Sequence, residues 1–371
     1  MARNCFARFV LHATLCVAGI AGLGITAASA QTRSRISQPI TDSNVVAIVH
    51  SVHPLAKSGS DLGPAAEDTP LRGMSIRFNM TDAQQAALDQ LLSDQQNPSS
   101  PRYLQWLTPA QYAAQFGMPA ADLAKVSAWL KAHGFTVTGV ANGGTFITFD
   151  GTVGQVQRAF ATSIHTLSVN GETHFANLTE VSVPGAFAGS VATVTGLHDF
   201  RLKPNVRASV VNPSFTSSFT GSHFIAPSDL YTIYGMNTLL SSYQGNGITI
   251  AVTGQVDINA LDVSTFRSAA GLSANAPVIV DAGTDPGPAR CTSNCSPNQG
   301  DLVESSIDVE WSGAMAPSAT IDFVTGVDIF NNSLTYAIDN NVAPIVTTSY
   351  GGCEAGQGTA EMLSLNSLFK Q

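Results

Sequence analysis

The sequence predicts a chain of two folded parts: an α+β sandwich, followed by an α/β part with a mostly parallel sheet. The length of 371 residues suits two domains of ordinary size. The content of 44% hydrophobic and 12% charged residues is enough to form two buried cores, which argues against disorder. In the first half the patterns run strand, helix, strand, strand, helix, strand, whereas in the second half strands and helices alternate. The first order predicts the α+β class and the second the α/β class.

The first thirty residues, 1–30, have the features of a secretory signal peptide. Arg3 and Arg8 precede an apolar run over 9–28, and residues 28–30 (Ala-Ser-Ala) are small, as cleavage before Gln31 requires. A transmembrane anchor is the alternative, because the run approaches the length that spans a bilayer. The small residues at its end favour cleavage, so we expect export to the cell exterior or the periplasm, with no membrane partner afterwards.

The sandwich is predicted over 71–202, after an extended polar lead-in at 31–70. Alternation predicts a strand at 74–80, and Thr81 then caps a helix that places Leu88, Leu91 and Leu92 on one face. The following patterns are a strand pair at 134–140 and 145–150 across Asn-Gly-Gly, a helix at 153–161 and a strand at 163–169. This order is the split βαβ pattern of a small α+β sandwich.

A polar segment over 203–223 predicts a cleavable linker, and the α/β part follows at 224–371. The apolar run at 247–253 is typical of a strand buried on both faces. Helix and strand patterns then alternate up to a strand at 343–349. Such alternation predicts parallel strands with helices on both faces of the sheet.

Charge and histidine are distributed unevenly between the two parts. From 224 onward, three basic and fourteen acidic residues give a net charge of −11, whereas 31–223 is neutral. No basic cluster occurs, so a nucleic-acid partner is not expected. The last 148 residues contain no histidine, so proton transfer in the second part cannot use an imidazole.

Three cysteines remain once the signal segment is set aside. Cys291 and Cys295 could close a small disulfide in an oxidising compartment. A metal site is the alternative, but a single CxxxC motif without a nearby histidine cannot supply four ligands. The third, Cys353, is left without an assigned partner.

A pair of carboxylates is the candidate for proton transfer. Glu304 and Asp308 are four residues apart in a helix pattern and therefore share one face. Two such groups can share a proton and so split their apparent pKa values. The alternative is a solvated helix face, where like-charged pairs at this spacing are common. We interpret Asp301 and Glu310 as surface or supporting groups.

Several motifs resemble the sedolisin, or serine-carboxyl, peptidases of the kumamolisin-like kind. The first part resembles their activation propeptide at 103–112 (YLQWLTPAQY), 129–135 (WLKAHGF), 159–160 (AF) and 194–197 (VTGL). The second part resembles the start of their catalytic domain at 227–235 (PSDLYTIYG), 304–311 (ESSIDVEW), 316–317 (AP) and 349–351 (SYG). The resemblance covers nearly everything after the signal segment.

The resemblance implies a fold and a role for each candidate residue. It implies a ferredoxin-like α+β propeptide, followed by part of a subtilisin-like α/β domain. Glu304 would be the general base and Asp308 would orient it. The family's oxyanion aspartate and nucleophilic serine are expected after Gln371, as is its calcium site, with no metal site inside this chain. We therefore expect an acid endopeptidase precursor whose catalytic domain is incomplete and inactive as it stands.

The expected partners are a protein or peptide substrate and the chain's own propeptide, docked on the peptidase part. A non-catalytic protein, acting as a propeptide-like inhibitor or folding module, is the alternative function. A subtilisin-type enzyme that uses histidine is a third possibility, but no histidine lies beside the candidate helix.

Overall fold

The structure is a computed structural model that describes residues 33–204, 215–216, 223–287 and 299–371. The predicted signal segment, most of the predicted linker and the Cys291–Cys295 pair lie outside these residues. No helix within the described ranges is long and apolar enough to cross a membrane.

The first part contains nine strands and six helices among the described residues. The strands are β1 (Val45–Ala47), β2 (Ser60–Pro64), β3 (Pro70–Phe78), β4 (Thr136–Val140), β5 (Phe146–Thr152), β6 (Ile164–Val169), β7 (Glu172–Asn177), β8 (Ser182–Pro184) and β9 (Val191–Thr195). The helices are α1 (Pro54–Ser58), α2 (Asp82–Gln96), α3 (Pro109–Phe116), α4 (Ala120–Ala132), α5 (Val153–Ala159) and α6 (Gly185–Ala188).

The main sheet of the first part is antiparallel, with the strand order β4-β5-β3-β9. The predicted β4–β5 hairpin is confirmed, and Gly144 in its turn has a φ of 69°, which favours glycine. The predicted strand at 163–169 also forms, but in a separate antiparallel sheet, β2-β6-β7. Placing it as the last strand of the sandwich was wrong, because β9 takes the position beside β3.

The core of the first part lies between the main sheet and its helices. It is rich in large side chains, and Phe149 and Phe160 are fully buried and stacked with ring centroids 6.0 Å apart.

Helix α2 begins with the predicted cap: the Thr81 side chain accepts the Gln84 backbone N–H, and the Gln84 side chain accepts the Thr81 N–H.

The second part continues the chain with short connecting pairs and a larger α/β unit. Its strands are β10 (Lys203–Pro204), β11 (Phe215–Thr216), β12 (His223–Phe224), β13 (Thr249–Gly254), β14 (Val278–Asp281), β15 (Thr320–Thr325), β16 (Ile345–Thr347) and β17 (Tyr350–Gly351). Its helices are α7 (Pro227–Ile233), α8 (Asn237–Leu240), α9 (Ala260–Ala269), α10 (Gln299–Met315), α11 (Thr335–Asp339), α12 (Glu354–Gln357) and α13 (Thr359–Phe369), with a π-helical turn at Ile329–Leu334 before α11.

The sheet of the second part confirms the predicted parallel arrangement. Its order is β14-β15-β13-β16, and all three neighbouring pairs run parallel. The central strand β13 is buried from Ala251 to Gly254, as its continuous apolar run predicts. Helix α10 packs on β13 and β15 through Val309, and it carries both candidate carboxylates.

Candidate functional site

A glycine at the end of β13 lets helix α10 approach the sheet closely. A Cβ atom at Gly254 would lie 2.6 Å from Phe323 Cζ and 2.7 Å from Ser305 Oγ, closer than real Cβ contacts allow. Ser305 is fully buried and directly follows Glu304. Because Gly254 has no side chain, α10 packs close to the sheet, and this position of the helix determines how far the candidate carboxylates lie from solvent.

The two candidate carboxylates are both withdrawn from solvent. Glu304 is 4% exposed, and Asp308 is half-buried one turn further along α10. Ser349 Oγ, between β16 and β17, donates a hydrogen bond to Asp308 Oδ1 at 2.9 Å. The other oxygen, Asp308 Oδ2, has no hydrogen-bond partner among the described residues and can accept from another group.

Burial changes the acidity of Asp308. Desolvation raises the pKa of this carboxyl to about 6; the Ser349 hydrogen bond opposes the shift, and the nearby Glu304 charge adds to it. Asp308 is therefore ready to hold a proton in mildly acidic solution. A buried carboxyl pair that can hold one proton is suited to taking up and returning a proton.

The two neighbouring acids have different surroundings. Asp301 is half-buried and accepts a hydrogen bond from Gln255 Nε2 at 3.0 Å, in agreement with a supporting role. Glu310 is half-buried rather than on the surface. Burial raises its pKa to about 7, with a further contribution from Asp262 of α9.

The chain directly after the first part, in β10, lies along the edge of β17. Lys203 and Pro204 pair antiparallel with Gly351 and Tyr350. The preceding Leu202 C=O accepts a hydrogen bond from Gln255 Nε2 at 3.0 Å. This edge directly follows Ser349, the residue that donates to Asp308, and β10 also contacts helix α10. Adding an extended segment to a sheet edge is a common mode of peptide recognition.

Two further contacts join the first part to the second, and neither carries a local sequence signal. The Arg77 guanidinium lies between the Phe146 ring at 5.0 Å and the Phe330 ring at 4.9 Å, and it donates to Thr335 Oγ1 at 3.2 Å. The Asp339 carboxylate, at the end of α11, accepts the backbone N–H groups of Asn142 and Gly143 at 2.8 and 2.9 Å. The tip of the β4–β5 hairpin is thereby fixed to the second part.

Within the described ranges, two groups of side chains converge closely enough to share an ion. His53, His198 and Glu361 form the first group, and Asp257, Asp281 and Asp285 the second. In each group the candidate ligand atoms lie within 4.8 Å of one another. The second group is largely exposed and entirely acidic, and such groups are common without any ion. Cys353 is exposed.

Comparison with known proteins gives related sequences for both parts. Residues 57–200 match the family model described as the pro-kumamolisin activation domain. The chain is 25% identical to sedolisin of Pseudomonas sp. (strain 101) over 277 residues, which are 73% of this chain and 46% of that protein. It is also 25% identical to kumamolisin of Bacillus sp. (strain MN-32) over 273 residues, 70% of this chain and 47% of that protein. The chain thus spans about half the length of these two relatives.

Proposed function

We propose that this chain, which belongs to the sedolisin family, is the precursor of an exported serine-type endopeptidase that is active in acid. The observation that carries the proposal is the position of the Glu304–Asp308 pair. Glu304 is buried and Asp308 is half-buried, and Asp308 accepts a hydrogen bond from Ser349, directly before the Tyr350–Gly351 edge that is paired with Lys203–Pro204. Acid–base groups and a peptide-binding edge are thereby adjacent.

In this proposal Glu304 acts as the general base and Asp308 orients it and shares its proton. A serine hydroxyl attacks a peptide carbonyl only if a neighbouring group accepts its proton. A lone carboxylate is a poor base at neutral pH because of its low ordinary pKa. The raised pKa of Asp308, about 6, keeps a proton available to the pair in acid. The proposal assigns no residue of this chain as the nucleophile or the oxyanion group.

The propeptide part would act as an inhibitor held in place by its own carboxyl end. Lys203 and Pro204 occupy the strand position that a substrate would need. Arg77 and Asp339 fix the propeptide at two further points, far along the chain from that edge. Export through the segment at 1–30 and maturation within 203–223 complete the proposal. The proposal also includes a ferredoxin-like fold for the propeptide, a subtilisin-like fold for the peptidase and a calcium site outside this chain.

The test is hydrolysis of a denatured protein substrate between pH 3 and pH 7 by the product of the complete reading frame that begins with this chain. Glu304→Gln should lower kcat/KM by about 10²–10⁴-fold, the usual contribution of a general base. Glu354→Gln, at an exposed position, is the matched control and should leave the rate unchanged. The 371-residue chain by itself should not hydrolyse the substrate.

Full activity in the Glu304→Gln protein would contradict the proposed role of this residue. If the reading frame stops after Gln371 and its product inhibits an acid peptidase without cleaving protein, the chain is instead a non-catalytic inhibitor.

A further inference from the structure

We propose that His53, His198 and Glu361 form a zinc site that bridges the propeptide part and the peptidase part. His53 and His198 belong to the first part, whereas Glu361 lies in the first turn of α13 in the second. The site does not involve Glu304 or Asp308, and it requires no peptidase activity.

The geometry of the cluster suits a small cation. His53 Nε2 and His198 Nε2 each lie 3.9 Å from Glu361 Oε2. Ligand atoms around a tetrahedral zinc with bonds of 2.0–2.2 Å are about 3.4 Å apart, so a movement of about half an ångström would bring each imidazole to the carboxylate. Two imidazoles and one carboxylate are a zinc ligand set that leaves a fourth position for water.

Buried polar atoms in the cluster have no partner that would explain their burial. His53 is 5% exposed, yet its Nε2 has no hydrogen-bond partner among the described residues. The same holds for His198 Nδ1 and Glu361 Oε2. Buried polar atoms of this kind are nearly always satisfied in native proteins, by water or an ion where protein groups are absent. Two of the three proposed ligand atoms, His53 Nε2 and Glu361 Oε2, are of this kind, and they indicate an occupant.

The cluster borders a cavity of about 30 Å³, room for one ion or one water molecule. Its lining includes Ser51, Asn177, Thr195, Asn331 and Gln357, which come from both parts of the chain. Phe200 packs against both imidazoles, with ring centroids at 4.8 and 5.4 Å. The rings are thereby held in fixed orientations around the cavity.

Burial favours the form of histidine that binds metal. Desolvation lowers the pKa of His53 to about 4 and that of His198 to about 3, so both rings are neutral at pH 7. Burial raises the pKa of Glu361 to about 8, with the Asp328 charge adding to the shift and Arg77 opposing it. A cation at Glu361 would be attracted by Asp328 and repelled by Arg77.

One existing hydrogen bond must change when zinc binds. The Leu55 N–H donates to His53 Nδ1 at 3.2 Å, capping α1, and this bond places the proton of neutral His53 on Nε2. Zinc at Nε2 would move that proton to Nδ1 and remove the cap. The loss of one helix cap lowers an equilibrium constant by about tenfold. Structural zinc sites change the folding equilibrium constant by many more orders of magnitude, so loss of the cap does not prevent zinc from binding.

The test uses the full chain, stripped of metal with a chelator and titrated with ZnCl₂ by calorimetry. We expect one zinc ion per chain and a visible absorption band when Co²⁺ replaces it. His53→Gln, His198→Gln and Glu361→Gln should each weaken binding by at least about 100-fold, since loss of even an outer-shell partner costs 10–100-fold. His165→Gln, which alters a histidine paired with Asp61 outside the cluster, should bind zinc normally.

Amide exchange provides a readout that does not depend on the substitutions. Zinc should slow exchange both at 51–55 and at 359–363, because the ion joins the two segments. The proposal is overturned if the wild-type chain binds no stoichiometric zinc. It is equally overturned if all three variants keep the site, or if protection rises in only one of the two segments.

Discussion

The two parts of the molecule use their interiors differently. The first part gathers most of its large aromatic and aliphatic side chains in one main core with two smaller clusters, and Phe149, Phe160 and Phe187 are among the most buried. The second part divides its apolar side chains among smaller clusters and buries carboxylates among them, including Glu304 and Asp339. Burying a carboxylate costs free energy unless it is compensated. The first part compensates its fully buried Asp122 with donors from Ser34, Arg35 and Lys125, whereas Asp308 of the second part keeps one oxygen without a hydrogen-bond partner among the described residues.

The largest expected effect tests the stability of the first part. Phe149→Ala should lower the free energy of unfolding by about 3–5 kcal/mol, because it leaves a cavity in a close-packed aromatic core. Urea unfolding can be followed separately in each part by variants that retain only Trp129 or only Trp311.

The Trp129 transition should move to lower urea concentration, whereas Tyr103→Ala, at a partly exposed side chain, should leave it nearly unchanged. An equal shift of both transitions would show that the two parts unfold as one unit. The difference between their interiors would then not give the two parts different stabilities.

An intermediate effect is expected where the two parts meet. Asp339→Ala removes the acceptor of two backbone N–H groups, those of Asn142 and Gly143. Each N–H loses one hydrogen bond to a charged group, which contributes about 1.5–3 kcal/mol, so a local loss of about 2 kcal/mol is expected at each amide. Amide exchange at Asn142 and Gly143 in the full chain should become about 30-fold faster.

Asp262→Ala, on α9, is the control for this experiment and should not change exchange in the hairpin. Unchanged exchange in Asp339→Ala would mean that other contacts hold the hairpin, among them those of Asn142 Nδ2 with the Asp339 C=O and Asn340 Oδ1.

The smallest effect concerns the cost of burying Asp308. Its pKa in the folded protein, about 6, lies above the ordinary aspartate value, so the folded state binds a proton more readily than the unfolded state. The wild-type chain should therefore gain stability as the pH falls from about 7 to about 4. Asp308→Asn should be more stable than wild type at pH 7 by about 1–2 kcal/mol, after allowance for partial exposure, and equal to it near pH 4.

Thermal unfolding at several pH values measures the difference between Asp308→Asn and wild type. Glu354→Gln serves as the control at an exposed carboxyl. A difference that does not change with pH would show that the substitution acts through packing rather than through the proton.

Local signals in the sequence were enough to locate most of the elements. The Thr81 cap, the β4–β5 hairpin and the apolar run of β13 each depend on residues close together in the chain, and each formed as predicted. The alternation pattern at 163–169 predicted a strand but not its neighbours, because period-two patterning gives no information about pairing. The partner of β3 is β9, more than a hundred residues further along the chain.

The candidate site could be predicted only in part, because several of its contacts join residues that are far apart in the chain. The spacing of Glu304 and Asp308 follows from one helix, so the sequence could place both on one face. The Ser349 contact to Asp308 and the Asp339 contact to the hairpin join residues far apart in the chain. Glu361 belongs to a helix with no chemical motif, and only the docked arrangement places it beside two histidines.

The pairing of Lys203–Pro204 with Tyr350–Gly351 has a consequence for how activation would proceed. If β10 blocks the edge as proposed, an intact connection through 205–222 would supply it at a high effective concentration. A single cut in that connection makes blocking a bimolecular equilibrium without altering any contact. Dilution after cleavage, rather than cleavage itself, would then decide when the edge becomes available.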